Sequence, residues 1–200
     1  MNLWDERYSQ HEYAYGRDPN DFLVEQTAHI PQGRVLCLAE GEGRNAVHLA
    51  RCGYEVLAVD QSKVGLQKAT HRAKQAGVEI TTQVADLADY HIREGKWQGI
   101  VSIWAHVPPA IRKPLHRQVV AGLAPGGVFI LESYTPRQLE TSGVGGPKQD
   151  QRERLMTLAE LKEELVGLKL LVAQEIEREV NEGELHRGRS AVVQIVAVKE

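Results

Sequence analysis

Only two cysteines occur among the 200 residues of this chain, and no cationic secretory segment or long apolar run opens it. Cys37 falls in a predicted buried strand, and Cys52 lies at the end of a predicted helix. Neither feature suits an exported protein that depends on disulfides. We therefore expect a reduced, cytoplasmic protein.

A strong charge bias is also missing, because the formal net charge is −3 at pH 7. So small a charge gives no general attraction to nucleic acid or to acidic membranes. No apolar run approaches the length that spans a bilayer, and no fixed-period repeat or low-complexity tract is visible. We expect neither nucleic acid nor membrane as a partner, and the sequence leaves the oligomeric state open.

Two familiar kinds of catalytic centre are absent from the pattern. The histidines show no H-x-x-x-H or cysteine-paired spacing, so no metal site is expected. No G-x-S-x-G segment is present, so a serine nucleophile on a strand-to-helix elbow is not indicated.

What the chain does contain suits one domain over residues 1–200, since 42% of its residues are hydrophobic and 26% are charged. Helical and strand patterns alternate along it, and a terminal hairpin follows. The predicted strands cover residues 35–38, 54–59, 78–85, 99–104, 128–131, 168–180 and 191–198. This alternation predicts an α/β fold: a Rossmann-like, doubly wound, mostly parallel sheet with a C-terminal antiparallel hairpin.

Local signals place the helix ends. Asp18 is predicted to cap a helix that starts at Pro19, and Ser62 to cap a helix that ends near Gly77. Thr157 and Glu160 have the spacing of a capping box for a later helix.

Residues 34–60 carry the most informative pattern, RVLCLAEGEGRNAVHLARCGYEVLAVD. An apolar strand runs into Gly41 and Gly43, an amphipathic helix follows, and a second strand ends in Asp60. Glycine permits positive φ and close approach of a ligand, while the helix start offers free N–H groups. Asp60 lies 19 residues beyond Gly41, near the spacing of an acid that binds the hydroxyls of a ribose. The segment predicts a nucleoside-cofactor site.

The identity of that cofactor is ambiguous from spacing alone, because residues 41–46 also satisfy the G-x-G-x-x-G/A dinucleotide pattern. Glu40 and Glu42 flank the turn, and carboxylates there would repel a pyrophosphate. S-adenosylmethionine has no phosphate and carries a sulfonium and an ammonium. It suits an acidic turn better, and an NAD(P)-dependent oxidoreductase remains the alternative.

These residues resemble the class I S-adenosylmethionine-dependent methyltransferases. The segment AEGEGRNA at 39–46, the opening WDERY at 4–8, and Tyr15-Gly16 and Pro19-Asn20 resemble a bacterial branch related to tellurite-resistance and thiopurine methyltransferases. Cys37 stands where the general motif has an acid, and Ala39 where it has its first glycine. The resemblance implies a seven-stranded sheet of order 3-2-1-4-5-7-6.

Ligands of open α/β sheets bind beyond the carboxyl ends of the parallel strands. The cofactor contacts that strand ends and the resemblance imply are Ala39, Glu40, Gly41, Gly43, Asn45, Asp60, Gln61, Asp86, Leu87 and Trp104. Asp86 and Leu87 resemble the family's adenine-contact motif, although an Asx turn explains Asp86 almost as well. The resemblance also implies that residues 1–30 cover the cofactor, with Tyr8 closing over it and Arg17 meeting its carboxylate.

Methyl transfer needs alignment more than acid–base chemistry, because a sulfonium is already a good leaving group. Where the nucleophile carries a proton, His106 is the expected base, with Tyr134 or His186 as substitutes. Arg187 is a candidate cation for a soft anion such as a thiolate or tellurite. Residues 135–151, rich in glycine, form either an ordinary loop or a substrate lid.

The sequence therefore supports methyl transfer from S-adenosylmethionine to a small-molecule acceptor as the first hypothesis. A cofactor-binding sensor without turnover is a third possibility, because Cys37 and Ala39 depart from the general motif and no base is assured.

Overall fold

A seven-stranded sheet of order β3-β2-β1-β4-β5-β7-β6 forms the central layer. Its strands are β1 (Arg34–Leu38), β2 (Glu55–Asp60), β3 (Thr81–Val84), β4 (Trp97–Ile103), β5 (Leu123–Tyr134), β6 (Lys169–Asn181) and β7 (Arg187–Val198). Strands β1 to β5 are parallel, whereas β7 runs antiparallel to both β5 and β6. The predicted fold and strand order are confirmed. The computed structural model describes residues 2–10 and 12–200, so Met1 and His11 of the N-terminal segment lie outside the description.

Six α-helices of the described chain connect and cover these strands. They are α1 (Leu3–Gln10), α2 (Asp21–Gln26), α3 (Arg44–Arg51), α4 (Lys63–Gln75), α5 (Pro109–Gly122) and α6 (Leu158–Glu164). Over the described ranges, 2–10 and 12–200, no helix is long and apolar enough to cross a membrane.

The core lies on both faces of the sheet, since successive side chains of a strand point to opposite faces. Val35 and Cys37 of β1 pack with residues of α2, α3 and α4. Leu36 and Leu38 pack on the other face with residues of α5 and α6. Three layers result, and the burial of β1 on both faces explains its continuous apolar sequence.

The helix ends follow their local signals with one exception. Ser62 caps α4 by accepting from the Gly65 amide at 3.0 Å, and the Thr157–Glu160 capping box is present at α6. The Asp18 cap is wrong, because Asn20 caps α2 by accepting from Leu23 at 2.9 Å. The Asn20 side chain also donates to the buried carboxylates of Glu132 on β5 and Glu182 in the turn after β6, contacts that sequence spacing does not reveal.

Two segments differ from their predicted form. Strand β3 is shorter than predicted and β5 longer. Residues 135–151 are not one open loop, because they contain the 3-10 helix Pro136–Glu140 and the start of another, Gln149–Arg154. Val144 and Arg187 exchange two backbone hydrogen bonds, of 2.7 and 2.9 Å, which hold this segment against β7.

Helix α1 is held over the sheet edge by α4. The Asp5 carboxylate accepts from the Ser62 hydroxyl at 2.6 Å and from the Val64 amide at 3.2 Å, at the positive end of α4. Lys68 donates to the carbonyls of Tyr8 and Glu12 at 2.6 and 2.9 Å. The N-terminal segment therefore packs above the carboxyl ends of β1 and β2.

Gly43 offers a test of how closely α3 and α4 pack. It has φ +84°, and a Cβ there would lie 2.5 Å from the Cβ and 2.6 Å from the Cα of Ala69. Gly77 has φ +69° but no described atom within 4 Å of such a Cβ. We expect Gly77→Ala to cost about 1 kcal/mol from the left-handed backbone alone, and Gly43→Ala about 2 kcal/mol more. Urea unfolding followed by circular dichroism measures both, and equal costs would show that α3 moves away freely.

Candidate active site

A cavity of about 820 Å³ opens at the carboxyl ends of the parallel strands. Its floor is formed by residues that follow β1, β2, β3 and β4, and α1 and residues 144–148 wall it in. Of the predicted site residues, those that line it are Tyr8, Ala39, Glu40, Asn45, Asp60, Gln61, Asp86, Leu87, Trp104, His106 and His186. Such a volume falls within the range of small-molecule sites.

The glycine turn is shaped by packing as much as by a ligand. A Cβ on Gly41 would lie only 2.5 Å from the Tyr8 hydroxyl oxygen, and Gly43 packs against Ala69. Neither glycine lines the cavity. Ala39, which occupies the position of a glycine in the resembled motif, has φ +52°, a conformation that costs a non-glycine residue about 1 kcal/mol.

Glu40 occupies the start of α3. Its Oε1 accepts from the amides of Asn45 and Ala46, at 3.1 and 2.8 Å, and the residue is buried. Free N–H groups at a helix start attract anions, and here a side chain of the protein already takes two of them. Burial raises the pKa of Glu40 to about 7, against the opposing effect of these hydrogen bonds.

Asp60 is oriented by the two turns it joins. Its Oδ2 accepts from the Gly41 amide at 2.9 Å and its Oδ1 from the Ser62 amide at 2.7 Å. Burial raises its pKa to about 6. Each carboxylate oxygen accepts one backbone bond and has a second lone pair to offer a ligand.

Asp86 and Leu87 follow β3 and reach the same cavity. Asp86 is exposed and its Oδ1 accepts from the Ala88 amide at 2.9 Å, which is an Asx turn. Leu87 is buried and belongs to the core. The Asx turn that the sequence left open for Asp86 is thus present, and it uses only one of the two carboxylate oxygens.

The N-terminal segment contributes Tyr8 but not Arg17. The Arg17 side chain is exposed, pairs with Glu12 and lies 4.5 Å above the Tyr13 ring. It does not line the cavity. Arg7 does, and it donates to the Tyr15 hydroxyl at 2.8 Å. Arg7 belongs to the WDERY motif at residues 4–8, and the sequence predicted no role for it at the site.

An aromatic cluster closes the other end of the cavity. The Trp104 and Tyr134 rings stack with centroids 4.4 Å apart, and the His186 ring meets Trp104 edge-on at 5.1 Å and Tyr15 at 4.6 Å. Trp104 has φ +59°, a strained conformation for a bulky residue. Such strain persists where the surrounding contacts fix it, and it is common at functional sites.

The structure does not leave His106 free to act as a base. The Tyr134 amide donates to its Nε2 at 3.3 Å, so that nitrogen accepts and the neutral ring carries its proton on Nδ1. Burial lowers the pKa of His106 to about 4. The ring therefore has no spare lone pair for a substrate proton.

Tyr134 and His186 differ in access. Tyr134 is fully buried between Trp104 and the backbone of Gly145 and Gly146, it does not line the cavity, and burial raises its pKa. His186 lines the cavity and its buried Nδ1 has no hydrogen-bond partner among the described residues. Burial holds the pKa of His186 well below its usual value, so the ring is neutral at pH 7.

Arg187, which the sequence suggested as the cation for a soft anion, does not line the cavity. Arg187 is exposed and lines a separate surface groove, while its backbone pairs with Val144. Lys148 and Arg154 line the cavity instead. They lie in the segment after β5, where only the fold brings them to the site.

Sequence reasoning also missed a buried ionic network beside the cavity. Glu132 accepts from Arg178 at 2.7 and 2.8 Å, and Glu182 accepts from Arg178 at 3.0 Å and also from Arg44. The Trp104 indole donates to Glu182 at 2.6 Å. Glu182 precedes a glycine in a hairpin turn, where the pattern predicts exposure, so no local signal identifies it.

The raised pKa of Glu40 has a consequence for stability. A native pKa near 7, above the ordinary 4.5, means that the folded state binds the proton more tightly than the unfolded chain. The stabilisation is complete below the ordinary pKa and is lost as the pH rises through about 7. Relative to Glu40→Gln, whose amide oxygen still caps α3, we expect the wild-type free energy of unfolding to fall from pH 5 to pH 8 by on the order of 2 kcal/mol.

Urea unfolding at several pH values measures that difference directly. Asp60 titrates in the same direction, but both proteins contain it and most of its contribution cancels. A difference that stays constant or grows with pH would mean that the helix N-terminus stabilises the Glu40 carboxylate more than burial destabilises it.

Comparison with known proteins identifies this architecture. Residues 35–127 match the family model described as a methyltransferase domain. Carboxy-S-adenosyl-L-methionine synthase from a Nitratiruptor species is 32% identical over 104 residues. That alignment covers 50% of this chain and 44% of the relative, so the chain matches less than half of that protein's length.

Solved structures match over most of the chain. TehB from Haemophilus influenzae is similar with a TM-score of 0.73 and 19% identity, over 90% of this chain and 62% of the other. An S-adenosylmethionine-dependent methyltransferase from Mesorhizobium loti gives 0.65 and 20%, over 88% and 96%. At these identities the likeness concerns the fold. The chain therefore shares its fold with S-adenosylmethionine-dependent methyltransferases, and residues 35–127 of it match a methyltransferase domain.

Proposed function

We propose that this protein transfers the methyl group of S-adenosylmethionine to a small-molecule acceptor, with a soft nucleophile such as a thiol or tellurite as the preferred class. The observation that carries the proposal is the cavity itself. It joins an acidic strand-end region around Glu40 and Asp60 to an aromatic end formed by Trp104 and His186. We infer that the reaction takes place in the cytoplasm, where Cys37 and Cys52 would stay reduced.

The start of α3 argues against a dinucleotide. In the dinucleotide fold the pyrophosphate binds at the helix N-terminus after the first strand. Here the Glu40 carboxylate already accepts from two of the free amides, at 2.8 and 3.1 Å. A phosphate would have to displace that carboxylate and then lie beside it and Glu42, so an NAD(P)-dependent oxidoreductase is disfavoured.

S-adenosylmethionine fits the same residues. It has no phosphate, and its positive charge is compatible with the acids that line the cavity. The residues that would hold it are Tyr8, Ala39, Glu40, Asn45, Asp60, Gln61, Asp86, Leu87 and Trp104. When bound, it supplies a methyl group that the acceptor's lone pair takes as the carbon–sulfonium bond breaks, leaving S-adenosylhomocysteine.

The protein's own contribution is to position the reactants and to exclude water. Asp60 is held by two backbone amides, and Trp104 is fixed by its stack on Tyr134 and its bond to Glu182. Groups held in this way lose little freedom on binding, which favours a near-attack arrangement.

The ionisable groups near the aromatic end favour a nucleophile that needs no strong base. His106 and His186 both have lowered pKa values, and burial raises the pKa of Tyr134. A thiolate or an oxyanion already has an available lone pair near neutral pH, whereas an alcohol or amine would require a stronger proton acceptor. His186 Nδ1, unpartnered among the described residues, remains available to orient such an acceptor.

Cofactor choice is tested by calorimetric titration with S-adenosylhomocysteine and with NAD. We expect binding of S-adenosylhomocysteine and none of NAD at comparable concentrations. Asp60→Asn replaces one accepting oxygen with a donor and should weaken S-adenosylhomocysteine binding by about 10- to 100-fold. Asp89→Asn, at an exposed aspartate outside the cavity, is the matched control and should leave affinity unchanged. Heat from NAD alone would refute the assignment.

Turnover is tested separately with radiolabelled methyl transfer to thiols, tellurite and small phenols. We expect product with a thiol or tellurite. Tight cofactor binding with no product from any of these classes would support a sensor instead of an enzyme.

A further inference from the structure

We infer that the acceptor is an anion, and that Arg154 binds its oxyanion group within the cavity. This inference rests on the proposed methyl transfer and names the class of acceptor. Arg154 takes the place of Arg187, which lies outside the cavity, as the proposed cation of the site.

Arg154 lines the cavity, and one of its hydrogen-bond donors is unsatisfied. Its Nε is buried and has no hydrogen-bond partner among the described residues. Within the part of the chain that the structure describes, its ion pair is with Glu153 at 3.8 Å, and the Glu153 side chain is 55% exposed. So long a contact to a solvated carboxylate neutralises a guanidinium weakly, and a buried donor without a partner costs free energy that a ligand would recover.

The backbone around Arg154 is held firmly. Leu155 and Met156 are buried, and the Met156 amide donates to the Tyr134 carbonyl at 3.0 Å. Leu155 packs in the cluster that contains Tyr134 and Val192. The arginine is therefore presented from a fixed point at the end of β5, so that binding an anion there orders little of the chain.

Charge is divided along the cavity. The lining carboxylates include Glu40, Asp60 and Asp86, which follow β1, β2 and β3, whereas Lys148 and Arg154 follow β5. Because β4 and β5 lie on the side of β1 away from β2 and β3, the acids at the strand ends and the cations that follow β5 lie toward opposite ends of the site. A cationic cofactor at the acidic end leaves the basic end for an acceptor of negative charge.

The other positive groups that line the cavity are engaged or solvated. Arg44 pairs with the buried Glu182, and Arg7 donates to the Tyr15 hydroxyl and lies 4.7 Å above the Trp4 ring. His106, whose pKa the Arg154 charge helps to lower, is neutral at pH 7. Arg154 is thus a cation with a donor to spare near the aromatic cluster, and exposed Lys148 adds positive charge at the rim.

A guanidinium binds a carboxylate or another oxyanion through two parallel hydrogen bonds, a geometry that a lysine ammonium lacks. Apolar residues, among them Val107, Pro108 and Ile111, line the cavity as well. The site suits a small molecule with one oxyanion group, which is either the nucleophile itself, as in tellurite, or a carboxylate attached to a thiol.

Matched acceptors and a matched pair of variants test the inference. Methyl transfer is measured with mercaptoacetate, which carries a carboxylate, with neutral mercaptoethanol, with cationic cysteamine, and with tellurite. Arg154→Ala removes the proposed contact, and Arg152→Ala removes an exposed arginine of the same 3-10 helix that does not line the cavity. Both variants change the net charge equally.

We expect Arg154→Ala to lower kcat/KM for mercaptoacetate or tellurite by about 30-fold or more and for mercaptoethanol by less than about 3-fold. Arg152→Ala should change neither, and Arg154→Lys should restore only part of the loss. If Arg154→Ala lowers kcat/KM for tellurite but not for mercaptoacetate, the oxyanion that Arg154 binds is the nucleophile itself. If the variant lowers kcat/KM for mercaptoacetate, Arg154 binds a carboxylate attached to the acceptor.

A binding measurement is independent of turnover. Propionate has the carboxylate but no nucleophile, and we expect it to bind the S-adenosylhomocysteine complex of the wild type and of Arg152→Ala but not of Arg154→Ala. If Arg154→Ala lowers kcat/KM equally for neutral and anionic acceptors, or does not lower it at all, the inference is overturned while the proposed methyl transfer stands. An absence of product from every acceptor would instead overturn the proposed function, and propionate binding would still decide whether Arg154 is an anion site.

Discussion

Two carboxylates, Glu132 and Glu182, lie buried beside the cavity, and the arrangement of the site depends on how their charge is balanced. Arg178 bridges both, Arg44 binds Glu182, and Asn20 donates to Glu132 and Glu182 at 2.6 and 2.8 Å. These groups come from the entry to α2, the start of α3, the end of β5 and the final hairpin. Removing one partner of such a buried pair costs about 3–5 kcal/mol, because the other charge is then left without compensation. The network therefore holds together the elements that enclose the site, and it anchors the Trp104 indole.

The positions of charged groups also determine which ligands the cavity can bind. Glu40 and Asp60, which are held by backbone amides, place acidic groups at the strand ends, and Glu40 occupies the helix start where a phosphate would bind. Arg154, a cation with an unsatisfied donor, lines the same cavity. A cofactor of positive charge and an acceptor of negative charge fit these two ends, so the selectivity of the site follows from the placement of charges more than from a dedicated base.

The parts of this structure that sequence could predict are those with a local cause. The strand–turn–helix segment at 34–60, the Ser62 cap and the Thr157 capping box depend on neighbours within a few residues, and all are observed. Topology then brings most of the predicted cofactor residues to one cavity, because the carboxyl ends of adjacent parallel strands must share one edge. The expectations that placed Arg17 and Arg187 at the ligand had no such cause. Arg17 contacts Glu12 and Tyr13 at the surface, and Arg187 lines a surface groove with its backbone paired to Val144.

The amino-acid sequence alone determined the α/β layering, the position of the glycine turn and the acids that surround it, since periodicity, turn residues and spacing are properties of short segments. Only the tertiary structure decided that Glu40 fills the helix start, that His106 has its lone pair occupied, and that Arg154 rather than Arg187 faces the cavity. Those outcomes depend on which distant side chains compete for the same donors and on which charges lose water when the layers pack. No short segment contains that information.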